Sequence, residues 1–395
     1  MTQNLKIFAE SVDGVVINQI YTIMAQPPFA DAKIRIMPDT HIGTGCVVGF
    51  TSTMGNKVIP NIIGVDIGCG MLTVPLGKID IDLKTLDEFI IKTIPTGGNL
   101  RSQYSEVDLI KTLRCFSDLD DLDRIYRSLG TLGGGNHFIE IDTDEDGEKY
   151  LIIHTGSRNL GLQVAKIYQK RAVLACRTSA DKARQEAHDK LMAQGKIEEL
   201  YEENERITKM FAERTKTPAD FCYFEGAECE DYLYDMRICQ QFAIKNRKKI
   251  ADDILKHLGI FKTVNSFETM HNFIDDDGII RKGAIPAHKG QLVLIPMNMR
   301  DGCIIAIGKG NEDWNFSAPH GAGRLFSRTE AKELFSEQEY KDTMKGIYTT
   351  SANMSTIDES PMAYKPMEEI VRLISPSVEI QKIIKPIYNL KHAKR

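Results

Sequence analysis

The stretch VIPNIIGVDIGCGM, residues 58–71, decides how the rest of the chain is read. It joins an apolar run to a turn in which Asp66 and Cys69 stand among Gly64, Gly68 and Gly70. Backbone this bare packs no core of its own, and glycines allow close approach of a ligand or of other backbone. A carboxylate and a thiol three residues apart can point at one centre, and thiolate, imidazole and carboxylate are donors that divalent metals take from proteins. A buried cysteine in a tight turn is also common, so the stretch alone leaves both readings open.

The histidines narrow the choice. Five of the nine sit among small residues at turns: His41 in MPDTHIGTG, His137 in GGGNHF, His154 in IIHTGSR, His271 in MHNF and His320 in SAPHGAGR. Loops at strand ends are where functional side chains concentrate. The other four read as surface or structural residues: His188 and His257 in amphipathic helices, His288 after a strand, His392 in the basic tail. His137 and His154 each end a predicted strand, and the two strands can be hairpin neighbours. Mixed Asp, Cys and His donors in excess of one tetrahedral ion suit two adjacent ions. GTLGGGN offers backbone N–H groups to phosphate, but no Lys-Ser/Thr follows it, so it is not a P-loop. In HGAGR, small residues expose His320 and Arg324 suits a phosphate. His320 can act as nucleophile or as general acid/base, and spacing does not choose.

Composition sets the frame. The chain has 395 residues, 42% hydrophobic and 27% charged, with a formal net charge of -5. That range is ordinary for a soluble globular protein. No apolar run is long enough to span a membrane, and MTQNLKIFAESVDG lacks the basic and apolar regions of a signal peptide, so the expectation is a cytoplasmic protein without a membrane partner. The eight cysteines form no CxxC pair and are expected to be reduced. No global basic signature marks a nucleic-acid partner, so such a partner would need a local groove.

Residues 13–75 read as strands joined by tight turns, through GVVINQI, KIRIMPD, CVVGFTSTM, KVIPNIIGVDIG and MLTVPLG. Residues 80–93 and 106–130 have helical spacing with Asp caps. GTLGGGNHFIEIDTDEDGEKYLIIHTGSR reads as strand, acidic turn, strand and small-residue loop. Residues 160–215 read as a charged helical hairpin and 231–258 as another long helix. Residues 262–310 return to short strands, and 329–346 are helical. VEIQKIIKPIYNLKHAKR reads as a helix, a proline break, a short strand and a basic end. With no linker and no repeat, the expectation is one α+β domain over 1–395 with a helical insertion at about 160–258.

MPDTHIGTG, VIPNIIGVDIGCGM, LGTLGGGNHFIEI, IIHTGSRNLG, MHNF, RKGAIPA, SAPHGAGR, DESPMAYK and IKPIYNLK, in this order from residue 37 to residue 391, resemble the RtcB family of RNA ligases. That family joins RNA 3'-phosphate or 2',3'-cyclic-phosphate ends to 5'-hydroxyl ends. The resemblance implies an α+β fold with mixed sheets around a central metal cleft, and chemistry that uses GTP and Mn2+. Carried over by position, Asp66, Cys69, His137, His154 and His271 look like the ligands of two Mn2+ ions, with Cys69 bridging. The same donors would tolerate Zn2+ or Co2+. His320 looks like the nucleophile that takes GMP from GTP as a covalent histidine–GMP. Asn136, His137, Phe138, Ile139 and Glu140 look like one wall of the nucleotide pocket. His271, Asn272, His320, Gly321, Ala322 and Gly323 look like another. Pro296, Met297, Asn298, Met299 and Cys303 would line it by position, and Lys391 resembles the family's terminal GMP-contacting lysine.

The sequence departs from the family at two places. Thr44 stands where the family has a lysine, and IPMNMRDG replaces IPGSMG, which puts bulkier side chains against the nucleotide. These changes suggest a divergent bacterial paralogue and leave GTP use open. Two alternatives fit the same residues: a metal-dependent RNA-end phosphodiesterase, and a non-ligating RNA-end binder. RNA contact is expected from Arg35, Arg158, Lys282, Lys289, Arg300, Arg324 and Arg328, and to weaken with salt. The sequence does not give the oligomeric state.

Overall fold

The computed structural model describes residues 4–104, 107–261 and 265–393. The start of the helical reading at residue 106, the start of the strand reading at residues 262–264 and the last two residues of the basic end lie outside the described residues. The fold is a mixture of helices and sheets. A seven-stranded antiparallel sheet runs in the order Leu292–Asn298, Gly302–Gly308, Val378–Lys391, Phe138–Thr143, Lys149–Thr155, Gly70–Gly77, Phe267–Met270. A five-stranded sheet holds Leu5–Ile7, Ile34–His41, Val48–Thr53, Ile279–Lys282 and Phe273–Ile274. A two-stranded ribbon pairs Ala284–Pro286 with Ser317–Pro319.

Period-2 alternation gives the larger sheet two different faces. Ile139, Ile141, Leu151 and Ile153 bury against Leu86 and Ile90 of helix Leu83–Thr93 and Ile250 and Ile254 of helix Ala227–His257. The other face carries Phe138, Glu140, Asp142 and His154 from the same two strands. The acidic turn between those strands is held by Asp144, whose Oδ1 accepts from Asp146 and Glu148 N–H groups. The helical hairpin is present as Arg158–Gln194 and Leu200–Lys216, and the next long helix as Ala227–His257.

Four expectations are corrected. KVIPNIIGVDIG is a strand only at Lys57–Val58, and Pro60–Ile63 forms a helical turn that Pro60 opens. GVVINQI is not a strand but the first part of helix Gly14–Met24: Asp13 caps it by accepting from Val15 N, and Val16, Ile20 and Ile23 bury one helical face, which overrides β-branched propensity. Residues 107–130 are mostly turns, with 3-10 segments at Asp108–Thr112 and Phe116–Asp118 and one short helix, Leu122–Arg127. VEIQKII is not helical: Val378–Lys391 is one strand between Gly302–Gly308 and Phe138–Thr143. Pro386 is tolerated there because the pairing shifts register between Pro386 and Tyr388.

Helix Ala227–His257 also supports three loops. Asn246 accepts from the Gly130 and Thr131 N–H groups and donates to the Thr131 and Gly156 carbonyls. Arg247, fully buried, donates to Gly68 O at 3.1 Å, Thr155 O at 2.7 Å and Glu268 Oε2 at 2.7 Å. Removing the guanidinium strands two buried carbonyls and a partly buried carboxylate. Arg247→Met is expected to destabilise the fold by about 3–5 kcal/mol, read from the denaturant midpoint.

Candidate metal centre and nucleophile

Four neighbouring strands of the large sheet deliver one donor each at the same end. Cys69 precedes Gly70–Gly77, His137 precedes Phe138–Thr143, His154 lies near the end of Lys149–Thr155, and His271 follows Phe267–Met270. The register places Gly70 opposite both Thr155 and Met270, and Phe138 opposite His154. Cys69 Sγ lies 3.3 Å from His154 Nε2 and 3.5 Å from His137 Nε2. Two sets of donor atoms result, each within 4.8 Å of one another: Cys69, His154 and His271, and Asp66, Cys69 and His137. Cys69 belongs to both.

Backbone carbonyls set the rings. Leu132 O accepts from His137 Nδ1 at 2.9 Å, and Asn136 O accepts from His154 Nδ1 at 3.1 Å. Both rings therefore present the Nε2 lone pair to the thiol, the arrangement found behind metal-bound histidines. His137 Nε2 also faces Asp66 Oδ2 at 2.9 Å, a contact that either a proton on that nitrogen or a bound cation would join. His271 Nδ1 is buried with no hydrogen-bond partner. These donor types fit divalent cations, which Asp66, Cys69, His137, His154 and His271 would hold. Burial, reinforced by Asp66, raises the Cys69 thiol well above its ordinary range, so the thiolate needs a neighbouring cation. Burial also raises Asp66, but His137 and Arg158 outweigh it and hold the carboxyl well below its usual range. His154 and His271 are kept neutral by burial and by neighbouring cationic groups.

His320 leaves the two-stranded ribbon just after Pro319 and meets the five-stranded sheet. Its Nδ1 lies 2.7 Å from Asp39 Oδ2, and its backbone N–H donates to the same oxygen at 3.1 Å. Asp39 is fully buried in strand Ile34–His41. The carboxylate thus fixes the tautomer, and Nε2 keeps its lone pair toward the cavity. The His320 ring is 4.8 Å from the His271 ring, centroid to centroid. His41, lowered to about 4 chiefly by burial, stands beside them as a neutral imidazole.

A cleft, partly open to solvent, lies beside this centre. Asn136, Phe138, Glu140, Pro296, Met297, Asn298, Met299, His320, Gly321, Ala322, Gly323 and Lys391 line it, together with His154. The other expected pocket residues sit elsewhere. His137 lines a separate cleft with Asp66 and Arg158. His271 belongs to the metal-type cluster, and Asn272 accepts from Gly283 N and donates to Asp66 O. Ile139 faces the opposite side of the sheet, in the core, because strand side chains alternate. Cys303 is buried with its thiol 3.8 Å from Glu140. The IPMNMRDG segment lines the cavity: Met299 Sδ accepts from the Tyr340 hydroxyl, and Asn298 is held by Asp301.

The expected cations divide. Arg35 is buried on Asp313, Lys282 donates to Ile63 O, and Arg300 pairs with Asp301. Arg324 and Arg328 line the same cleft but pair with Glu359. Lys289 is exposed, and Thr44 is exposed in the loop after His41. Sequence reasoning missed Asp39, Glu359 and Asn389. Asp39 had a local signal, a carboxylate two residues before His41. Glu359 accepts from Lys391 at 3.1 Å, and its carboxyl is lowered to about 2 because Lys391, Arg328 and Arg324 outweigh its burial.

Gly156 offers a test of the two halves of the cluster. A Cβ there would collide with Asp66 Oδ1. Gly156→Ala is expected to lower metal occupancy at the Asp66–His137 half by about 10–100-fold while sparing the His154–His271 half, read as a drop toward one ion per chain on equilibrium dialysis.

These features define a class: an α+β protein with a cysteine–histidine cluster beside a carboxylate-oriented histidine and an open cleft. A family model described as tRNA-splicing ligase RtcB matches residues 19–120 and 117–392. The RNA-splicing ligase RtcB of Escherichia coli is 30% identical over 413 residues, covering 93% of this chain and 92% of its own. The tRNA-splicing ligase RtcB of Nanoarchaeum equitans is 26% identical over 441 residues, covering 88% and 85%. A second Escherichia coli relative, RNA-splicing ligase RtcB2, is 26% identical and covers 97% and 93%. The chain belongs to the RtcB family. Among the described residues, no helix is long and apolar enough to cross a membrane.

Proposed function

We propose that the chain is an RNA ligase that joins 3'-phosphate or 2',3'-cyclic-phosphate ends to 5'-hydroxyl ends, using GTP and two Mn2+ ions. The observation that carries this reading is the 2.7 Å contact between His320 Nδ1 and buried Asp39, which leaves His320 Nε2 as a free nucleophile between the metal-type cluster and the cavity. Asp66, Cys69, His137, His154 and His271 would hold the ions, which when bound neutralise phosphate oxygens. His320 Nε2 attacks the α-phosphorus of GTP, the bond to the β-phosphate oxygen breaks, and pyrophosphate leaves. Asp39 stabilises the imidazolium character that develops on the ring. An oxygen of the RNA 3'-phosphate then displaces the imidazole, giving an RNA–GMP end and regenerating Nε2. The 5'-hydroxyl displaces GMP. A cyclic phosphate is first opened by water. Lys391 and Arg324 stand at the cavity wall for phosphate or ribose oxygens.

The test is a joining assay with a labelled 3'-phosphate strand and a 5'-hydroxyl strand. The expected product appears only with both GTP and Mn2+. Joining without GTP, or cyclic-phosphate opening with no joining under any nucleotide, would overturn the ligase reading in favour of a phosphodiesterase.

A further inference from the structure

Glu140 of the cavity wall belongs to a second cluster, whose other members, Asp142 and Cys303, the proposed chemistry does not use. Glu140 and Asp142 are two residues apart on strand Phe138–Thr143, so they share a face. Both are buried, and their carboxylates lie within 4.8 Å of each other and of Cys303 Sγ. Glu140 accepts from Asn389 Nδ2 and from the Cys303 thiol. Asp142 is different: both its oxygens are buried and neither has a hydrogen-bond partner.

Two carboxylates this close in a dry site cannot both stay ionised. The charged and titratable groups around them are few. Lys391, on the adjoining strand, directs Nζ to Glu359 and to Asn136 O. Tyr150, opposite Asp142, turns its hydroxyl to Asp144, where Lys382 also binds. Cys303 can only donate weakly. None of them neutralises Asp142.

We infer that Asp142 carries the single proton of a buried pair with Glu140 and thereby positions Glu140 as an acceptor for the nucleotide base. The proton belongs on Asp142 because Glu140 already has two donors and Asp142 has none. Burial, then the Glu140 charge, raise Asp142 well above its usual range. Its O–H then donates to Glu140, which stays anionic and acceptor-only at the cavity wall. Asn389 lies beside it in the same wall with Oδ1 buried and unpartnered. Two adjacent acceptors read a base edge with two adjacent donors, such as the N1–H and 2-amino group of guanine. Asp142 is therefore a specificity-determining positioning residue, an inference that rests on the nucleotide reading of the cavity.

The test has two arms. In the first, difference infrared spectra of wild-type protein minus Asp142→Asn at neutral pH, without nucleotide, should show one protonated carboxyl C=O band lost, with metal content unchanged. In the second, calorimetry measures GDP and IDP binding. Asp142→Leu should weaken GDP binding about tenfold and reduce the preference for GDP over IDP, whereas Asp142→Asn, whose amide still donates to Glu140, should restore GDP binding to within about threefold of wild type. A missing infrared band in protein that binds GDP overturns this inference alone. Loss of a metal equivalent in Asp142→Asn makes the cluster a cation site and overturns it as well. So does unchanged selectivity in Asp142→Leu when that variant keeps the wild-type thermal midpoint. Wild-type protein that shows the band but binds no guanine nucleotide overturns the nucleotide reading and, with it, the positioning role.

Discussion

Cys69→Ala is expected to strip both metal ions and to lower RNA joining by at least ~10³-fold, while leaving the fold intact. Cys69 is the one donor shared by both candidate half-sites. Without its sulfur, His154 and His271 keep two nitrogens, and Asp66 and His137 keep one oxygen and one nitrogen. Neither pair makes a closed site for a divalent ion, which normally takes at least three protein donors in a catalytic site. Loss of the charge stabilisation that such ions supply is worth several kcal/mol, hence the size of the drop. The stability effect should be small, about 1 kcal/mol, because the thiol makes polar rather than packing contacts. Metal content by mass spectrometry and the denaturant midpoint separate the two outcomes. Wild-type Mn2+ binding by Cys69→Ala would reduce the turn at 64–71 to a turn.

Asp39→Asn is expected to slow guanylylation of the protein by about 10²–10⁴-fold without changing metal content. The carboxylate accepts from His320 Nδ1, so Nδ1 carries the hydrogen and Nε2 the lone pair. An asparagine can donate through its amide, which favours the opposite tautomer and places the hydrogen on the attacking atom. It also loses the negative charge that stabilises a cationic imidazole. His320→Ala should go further and abolish labelling, again with both ions retained. A rate for Asp39→Asn within threefold of wild type would mean that His320 is oriented by something other than Asp39.

Much of the site could be read from the sequence because its signals are local. Asp66, Cys69, His137, His154 and His271 each sit beside glycines or at a predicted strand end, and the sheet register then brings them together. The relation of Asp39 to His320 could not be read this way. It spans 281 positions and two different sheets, and a lone Asp in a buried strand gives no periodic signal. The Asp142 pair was hidden for a similar reason: alternation put Asp142 on the pocket side, but its lack of a donor depends on what three strands present to it. The fold was misread where local pattern and tertiary pairing disagree. Val378, Ile380, Ile383 and Ile384 have helix-compatible spacing, yet two flanking strands recruit the segment into the sheet. GVVINQI has strand-like residues, yet the Asp13 cap and a single buried face make it a helix.

The proposed reaction turns on His320 acting as a nucleophile toward GTP. Incubation of the protein with Mn2+ and GTP labelled at the α-phosphate tests it most directly. An acid-labile, base-stable label on His320 is expected, present in wild-type protein, absent in His320→Ala and absent when the metal is removed. A label that persists in His320→Ala, or no label on metal-loaded wild-type protein, would contradict it.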